Sequence, residues 1–103
     1  MAKRKVTWVR NAEIQMLDVM DYYYFRNKSM TYSLKLRKDI QFKLHNLNFT
    51  VTLPKKTSIE NLFYFTHNHI CVMFCFEDND IVVQIIWDER RNPNGLKRIL
   101  DDM

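Results

Sequence analysis

The clearest periodicity in the chain lies between residues 32 and 47. Tyr32, Leu36, Ile40, Leu44 and Leu47 recur at intervals of four, four, four and three residues. This spacing places the five side chains on one stripe of an α-helix. The stripe predicts an amphipathic helix whose apolar side packs on another element.

A second helix is predicted just before it. Apolar residues recur there at helical spacing: Ala12, Met16, Val19 or Met20, and Tyr23. Asn11 is the candidate N-cap, and Ser29 or Thr31 can cap the following helix. We expect the first helix to end near Arg26. Two helices joined by so short a turn form a helical hairpin.

Four segments have the composition of β-strands. They are Lys5–Val9, Leu62–Thr66, Ile70–Phe76 and Ile81–Trp87. Asn68 and the segment 78–80 separate the last three, which predicts consecutive antiparallel hairpins. The order is β-α-α-β-β-β, an α+β fold with the helical hairpin on one face of an antiparallel sheet and a short C-terminal helical turn at Leu96–Leu100.

The composition fits one globular domain spanning residues 1–103, since 47% of the residues are apolar and 27% are charged. No apolar run approaches the ~20 residues that span a bilayer. The basic N-terminus lacks the apolar segment of a secretory signal, so we expect a cytoplasmic protein without a membrane anchor. Cys71 and Cys75 lie ~13 Å apart in one predicted strand, too far for a disulfide.

The charges are distributed in blocks. Residues 1–56 contain 12 Lys or Arg and four acidic residues, whereas residues 57–89 contain six acidic residues and no Lys or Arg. A basic half fits a polyanionic target or an acidic partner. A solvated basic helix face explains the same charges, so both interpretations stay open.

Specific residues resemble a known family. Trp8 is followed by Ala12, Met16, Val19 and the Tyr22-Tyr23 pair, and the chain closes on residues 87–93, Trp-Asp-Glu-Arg-Arg-Asn-Pro. Asp88, Arg90, Asn92 and Pro93 match an Asp-x-Arg-x-Asn-Pro ending. From about Lys5 to Leu100, the chain resembles the RelE/ParE superfamily of type II toxin–antitoxin toxins.

The resemblance implies a small cytosolic toxin that a cognate antitoxin protein neutralises. RelE-like members cut mRNA on the ribosome and ParE-like members act on DNA gyrase, with one scaffold serving both, so the fold alone cannot choose between them. No cofactor and no metal site are predicted. We expect antiparallel pairing throughout the sheet, and parallel pairing would argue against the resemblance.

The resemblance also assigns candidate site residues. Arg90 takes the place of the catalytic arginine near the last strand. Contact with a nucleic acid or another target is predicted for Lys55, Lys56, Arg90, Arg91, Lys35 and Lys38. Contact with the antitoxin is predicted for Trp87 and Met73.

A metal-free ribonuclease needs a base, an acid and cations around the phosphate. The segments 62–66 and 70–76 contain no Lys or Arg, and no Tyr or His follows Trp87. The missing acid or base can be supplied by Tyr64, His67 or His69 only if that residue lies beside Arg90, which we do not expect. Four interpretations therefore stay open. The chain is a ribonuclease, a ParE-like toxin, an inactive toxin-like module that only binds an antitoxin, or a plain nucleic-acid-binding domain.

Overall fold

The computed structural model describes residues 5–47 and 54–90. Along the chain the elements are β1 (Val6–Trp8), α1 (Arg10–Asn27), α2 (Thr31–His45), β2 (Lys55–Lys56), β3 (Phe63–His67), β4 (Ile70–Glu77) and β5 (Asp80–Asp88). The predicted α+β class is confirmed and the bounds of the four predicted strands are right to within one residue, but the strand β2 was not predicted. The predicted helical turn at Leu96–Leu100 lies outside the described residues.

The strands form one sheet in the order β1-β5-β4-β3-β2. β1 pairs parallel with β5, whereas the other three pairs are antiparallel. The prediction of a fully antiparallel sheet was therefore wrong: the sheet is mixed.

The two-residue strand β2 explains this error. When each element runs opposite to the one before it, the seventh element, β5, runs parallel to the first. Without β2 the same alternation makes β5 antiparallel to β1. The pattern of hydrophobic residues does not reveal β2, because Lys55 and Lys56 are both polar and both exposed.

The two helices cover one face of the sheet, as predicted. Met16 and Ile40 of the helices are fully buried against Phe74 of β4 and Val83 of β5. The Glu13 carboxylate of α1 accepts two hydrogen bonds from the Arg37 guanidinium of α2, at 2.9 and 3.0 Å. This bidentate ion pair fixes the alignment of the two helices.

The helix caps differ from the prediction. Asn11 lies inside α1, whose N-cap is Val9, and no side chain caps this end. The Val9 N–H donates to the Val83 carbonyl at 3.0 Å, so the sheet positions the start of the helix. At α2 the N-cap is Met30, although the Ser29 hydroxyl accepts a hydrogen bond from the first N–H of the helix at 3.2 Å.

The other face of the sheet carries a second, smaller apolar cluster. Leu62, Cys71, Met73 and Ile85 are buried there, and Tyr64 and Trp87 pack against them. Cys71 and Met73 are only 1% and 3% exposed, so this face of β4 is covered by the chain itself.

None of the helices in residues 5–47 and 54–90 is both long enough and apolar enough to cross a bilayer.

Candidate functional site

A groove of about 490 Å³ opens between α1 and the second half of β5. β1 pairs with β5 only from Ile81 to Val83, so beyond Val83 the strand has no neighbour on that side among the described strands. α1 crosses the sheet there instead. The α1–β5 groove is lined by Ile14, Gln15, Asp18, Val19, Ile86, Trp87 and Asp88.

Gln15 occupies the bare edge of β5. Its Oε1 accepts a hydrogen bond of 2.8 Å from the Ile86 N–H. Alternate residues of a strand direct their backbone groups to the same side, so the N–H and C=O of Asp88 also point to this edge. Sequence patterns gave no indication of this contact, because residues 15 and 86 are linked only through the fold.

A buried hydrogen bond closes one end of the groove. The Tyr23 hydroxyl donates to Asp88 Oδ2 at 3.0 Å, and Asp88 is only 5% exposed. The other carboxylate oxygen, Oδ1, accepts a hydrogen bond of 3.0 Å from the Arg90 N–H. Asp88 therefore joins α1 to the end of β5 and holds the backbone that presents Arg90.

The environment of Tyr23 strongly favours its neutral form. Burial raises the pKa of its hydroxyl to about 12, and the hydrogen bond to Asp88 and the charge of Asp88 act in the same direction. The nearby Arg90 cation opposes them and lowers this pKa. Tyr23 is therefore a neutral hydrogen-bond donor near pH 7 rather than a base.

The Tyr23 ring packs on α2, where it lies edge-on to the Tyr32 ring with centroids 5.0 Å apart. Its hydroxyl reaches the other way, to Asp88.

Arg90 lies in the turn that follows β5, not in the strand, and it is exposed. Its side chain makes no ion pair with any residue of the part of the chain that the structure describes. The guanidinium is therefore available to an anionic group near the Tyr23–Asp88 end of the groove. Arg91 lies outside the described residues.

His69 approaches Arg90, contrary to the expectation. The Glu89 N–H donates to the His69 carbonyl at 2.9 Å, so the β3–β4 turn lies beside the end of β5. Asn68 and His69 both have positive φ, of 48° and 67°, as a two-residue hairpin turn requires. The turn thus brings an exposed imidazole next to the residue that precedes Arg90.

The other two candidates, Tyr64 and His67, do not lie beside Arg90. His67 faces α2, where its Nε2 is 3.6 Å from Asp39 Oδ2. Tyr64 lies opposite Met73 in the middle of the sheet.

Lys55 does not share a site with Arg90. The strand register places Lys55 level with Tyr64, Met73 and Ile85. Arg90 lies five residues further along β5 and three strands away, so the two Cα atoms are about 20 Å apart.

The remaining predicted lysines lie on other surfaces. Lys56 is exposed opposite Phe63, at the edge strand β2. On α2, Lys35 is exposed and lies 3.3 Å from Asp39, and Lys38 is exposed one residue before that aspartate. The predicted basic residues therefore surround the molecule instead of converging on one point.

The face of the sheet opposite the helices is short of cations. β3, β4 and β5 contain no Lys or Arg, and the residues that point to this face include Tyr64, Thr66, Met73 and Trp87. Met73 is too deeply buried to contact an antitoxin directly, which counts against that prediction. Trp87 is half-buried and lines the groove, and its contact with an antitoxin stays a prediction.

Both cysteines are free thiols. Burial raises the pKa of the Cys71 thiol to about 12, and the charge of Glu89 adds to this shift. No group of three or more His, Cys, Asp and Glu side chains that could hold a metal occurs within residues 5–47 and 54–90.

No protein-family model matches the chain, and no curated protein matches it. Solved structures do. A chain of the chromosomal ParDE TA (toxin–antitoxin) system from P. aeruginosa superposes with a TM-score of 0.60, covering 82% of this chain and 94% of that chain at 16% sequence identity. A chain of the YoeB dimer from Staphylococcus aureus superposes with a TM-score of 0.48, covering 82% of this chain and 95% of that chain at 17% sequence identity.

At such low identity the likeness to the P. aeruginosa chain concerns the fold. This chain, a helical hairpin on a five-stranded mixed sheet, shares its fold with that chain, as the predicted resemblance implied. We expected parallel pairing in the sheet to argue against the resemblance. β1 does pair parallel with β5, and the fold is nevertheless shared with the P. aeruginosa chain.

Proposed function

We propose that this chain is the toxin of a type II toxin–antitoxin module, which acts in the cytoplasm by binding a macromolecular target and is neutralised by a cognate antitoxin. The observation that carries the proposal is the fold shared with a chain of the ParDE TA system over 94% of that chain. The ending from Trp87 to Pro93 supports it independently, because it matches the motif of such toxins.

DNA gyrase is the target that the site favours over mRNA. Cleavage of RNA needs cations placed around the phosphate and a pair of groups that transfer protons. The sheet does not offer these cations across its exposed face, since β3, β4 and β5 contain no Lys or Arg. A toxin that inhibits by binding does not need these groups.

The target surface that we propose centres on Arg90. Its guanidinium lies next to the α1–β5 groove, and Asp88 and Tyr23 fix the backbone that carries it. Trp87 supplies an aromatic wall of the same groove. Lys55 and Lys56, on the opposite edge of the sheet, and Lys35 and Lys38, on α2, lie on other surfaces, where they would contact an acidic or polyanionic partner apart from Arg90.

Ribosome-dependent mRNA cleavage is the second candidate, and one observation favours it. The hydrogen bond from the Glu89 N–H to the His69 carbonyl brings the turn that carries His69 beside the end of β5, which Arg90 follows. His69 would remove the proton of the 2′-hydroxyl, and Arg90 would stabilise the charged phosphorane. Arg90 would have no second cation beside it from the sheet, since β3, β4 and β5 contain no Lys or Arg, which is why this activity ranks second.

Induced expression of the chain in a bacterium, without any antitoxin, tests the toxin role. We expect growth to arrest, and the Arg90→Ala variant to relieve the arrest. Arg10→Ala removes another exposed arginine, at the start of α1, and serves as the matched control. Normal growth with the soluble wild-type chain contradicts the proposal.

Purified protein identifies the target. We expect the wild-type chain and Arg10→Ala to inhibit supercoiling by gyrase, and Arg90→Ala to lose this inhibition. Cleavage of mRNA on ribosomes that requires both His69 and Arg90 would select the second candidate instead. A chain without either activity that still co-purifies with an antitoxin would be the inactive binding module.

A further inference from the structure

The outer surface of the helical hairpin exposes several large apolar side chains. Ile14 and Leu17 of α1 are 53% and 52% exposed, and Phe25 is 74% exposed. On α2, Leu34 and Phe42 are 58% and 67% exposed. Contiguous exposed apolar residues of this size mark interaction surfaces in soluble proteins.

Helical geometry places these residues on one continuous surface. At 3.6 residues per turn, Ile14, Leu17 and Phe25 lie on the side of α1 opposite the buried Met16, and Leu34 and Phe42 lie on the side of α2 away from the buried Ile40. Both sides therefore face away from the sheet, and Ile14 also borders the α1–β5 groove. We call this surface the hairpin crest and define it by Ile14, Leu17, Asp21, Phe25, Leu34, Lys38 and Phe42.

Two contacts between the helices fix the alignment of the crest. Glu13 pairs with Arg37, and the Ser33 hydroxyl donates to the Met20 carbonyl at 2.7 Å. In this antiparallel alignment Leu17 and Leu34 lie at the same height along the hairpin. They form the apolar centre of the crest.

The two helices carry opposite charge balances. α1 contains three acidic and two basic residues, whereas α2 contains four Lys or Arg and one Asp. On the crest itself, Asp21 of α1 and Lys38 of α2 are both exposed. The crest therefore has an acidic half on α1 and a basic half on α2, and each half is partly apolar. Such a surface can pair with the same surface of a second copy.

We propose that the hairpin crest binds a second copy of this chain and forms a symmetric four-helix dimer. A two-fold axis parallel to the helices places α1 of each copy over α2 of its partner, as an isologous interface requires. This arrangement sets acidic helices against basic ones and brings the two Leu17–Leu34 pairs together at the axis. It does not depend on the toxin role.

The size of the crest sets the strength of the dimer. A hairpin ~27 Å long and ~20 Å wide offers a footprint of roughly 500 Å² per copy, below the ~800 Å² per partner of standard interfaces. The dimer therefore forms reversibly and depends on protein concentration.

Sedimentation velocity of the full chain over a wide concentration range tests the dimer. We expect Leu17→Glu and Leu34→Glu each to raise the dissociation constant by at least ~10-fold, because each puts a charge at the apolar centre. Thr66→Glu, an exposed position on the opposite face of the sheet, leaves the constant unchanged. Circular dichroism and urea unfolding verify that all three variants fold.

A charge exchange tests self-complementarity separately from hydrophobic attraction. Lys38→Glu leaves only acidic side chains among the charged residues of the crest and weakens the dimer, and adding Asp21→Lys to it restores opposite charges and the association. A wild-type chain that stays monomeric at all concentrations would overturn the proposal, as would a dimer that ignores both leucine variants. A crest that is protected from labelling only when an antitoxin is added would assign it to that partner instead.

Discussion

The Tyr23 hydroxyl and the Asp88 carboxylate form a buried hydrogen bond of 3.0 Å between residues 65 positions apart in the chain. This bond ties the C-terminal part of α1 to the last residue of β5. Because Asp88 also accepts the Arg90 N–H, the same carboxylate positions the residue on which the proposed target contact depends.

Removing the Tyr23 hydroxyl is expected to destabilise the fold. Tyr23→Phe leaves a buried carboxylate with one partner fewer, which costs about 1–3 kcal/mol of the free energy of unfolding. Urea unfolding measures this loss. Tyr24→Phe, at a residue 40% exposed, is the control and should change the free energy little. Equal stabilities of the two variants would show that the bond contributes nothing.

The raised pKa of the Tyr23 hydroxyl also predicts a loss of stability at alkaline pH. Its pKa rises from 10.0 to about 12 in the folded chain, so the unfolded chain releases this proton first. The contribution of Tyr23 is therefore complete below pH 10 and is lost as the pH rises towards 12. Ultraviolet absorbance of the phenolate follows the titration, and Tyr23→Phe should remove the ionisation near pH 12. A variant that keeps this late step would assign it to another tyrosine.

Much of the fold could be predicted from residue patterns, because the burial of one helix stripe or strand face is a local property of the sequence. The stripe of Leu36, Ile40 and Leu44 is buried as its spacing predicts. β2 has no such signal, since an edge strand of two exposed lysines buries nothing. That short strand nevertheless reverses the direction of every later strand relative to β1.

The site was less predictable for a different reason. The ending motif drew attention to Asp88 and Arg90, but the partners of Asp88 are tertiary. Tyr23 and Gln15 reach β5 only because α1 crosses the edge that β1 leaves bare. His69 approaches Arg90 through the register of β4 and β5, which no spacing along the chain encodes.

The two thiols are expected to differ in reactivity. Burial raises the pKa of Cys71 to about 12, and its residue is only 1% exposed, so it has almost no thiolate near pH 8 and no access for a reagent. Cys75 is partly exposed, with its Sγ 3.2 Å from Gln84 Nε2. A disulfide reagent at pH 8 should modify one thiol rapidly and the other only on unfolding. Rapid modification that persists in Cys75→Ser would contradict the burial of Cys71.

The lowered pKa of the His67 imidazole predicts a loss of stability in mild acid. Burial lowers its pKa below 6.5, Lys43 and Lys35 act in the same direction, and Asp39 opposes them. Since the unfolded chain binds this proton more readily, the free energy of unfolding is unaffected above pH 6.5 and falls as the pH drops towards the folded pKa. Urea unfolding from pH 7.5 to 5 measures the fall. His67→Gln should remove part of this pH dependence, whereas His69→Gln, at an exposed turn, should retain it all. Identical pH profiles for wild type and His67→Gln would mean that the imidazole stays solvated and that α2 does not enclose it.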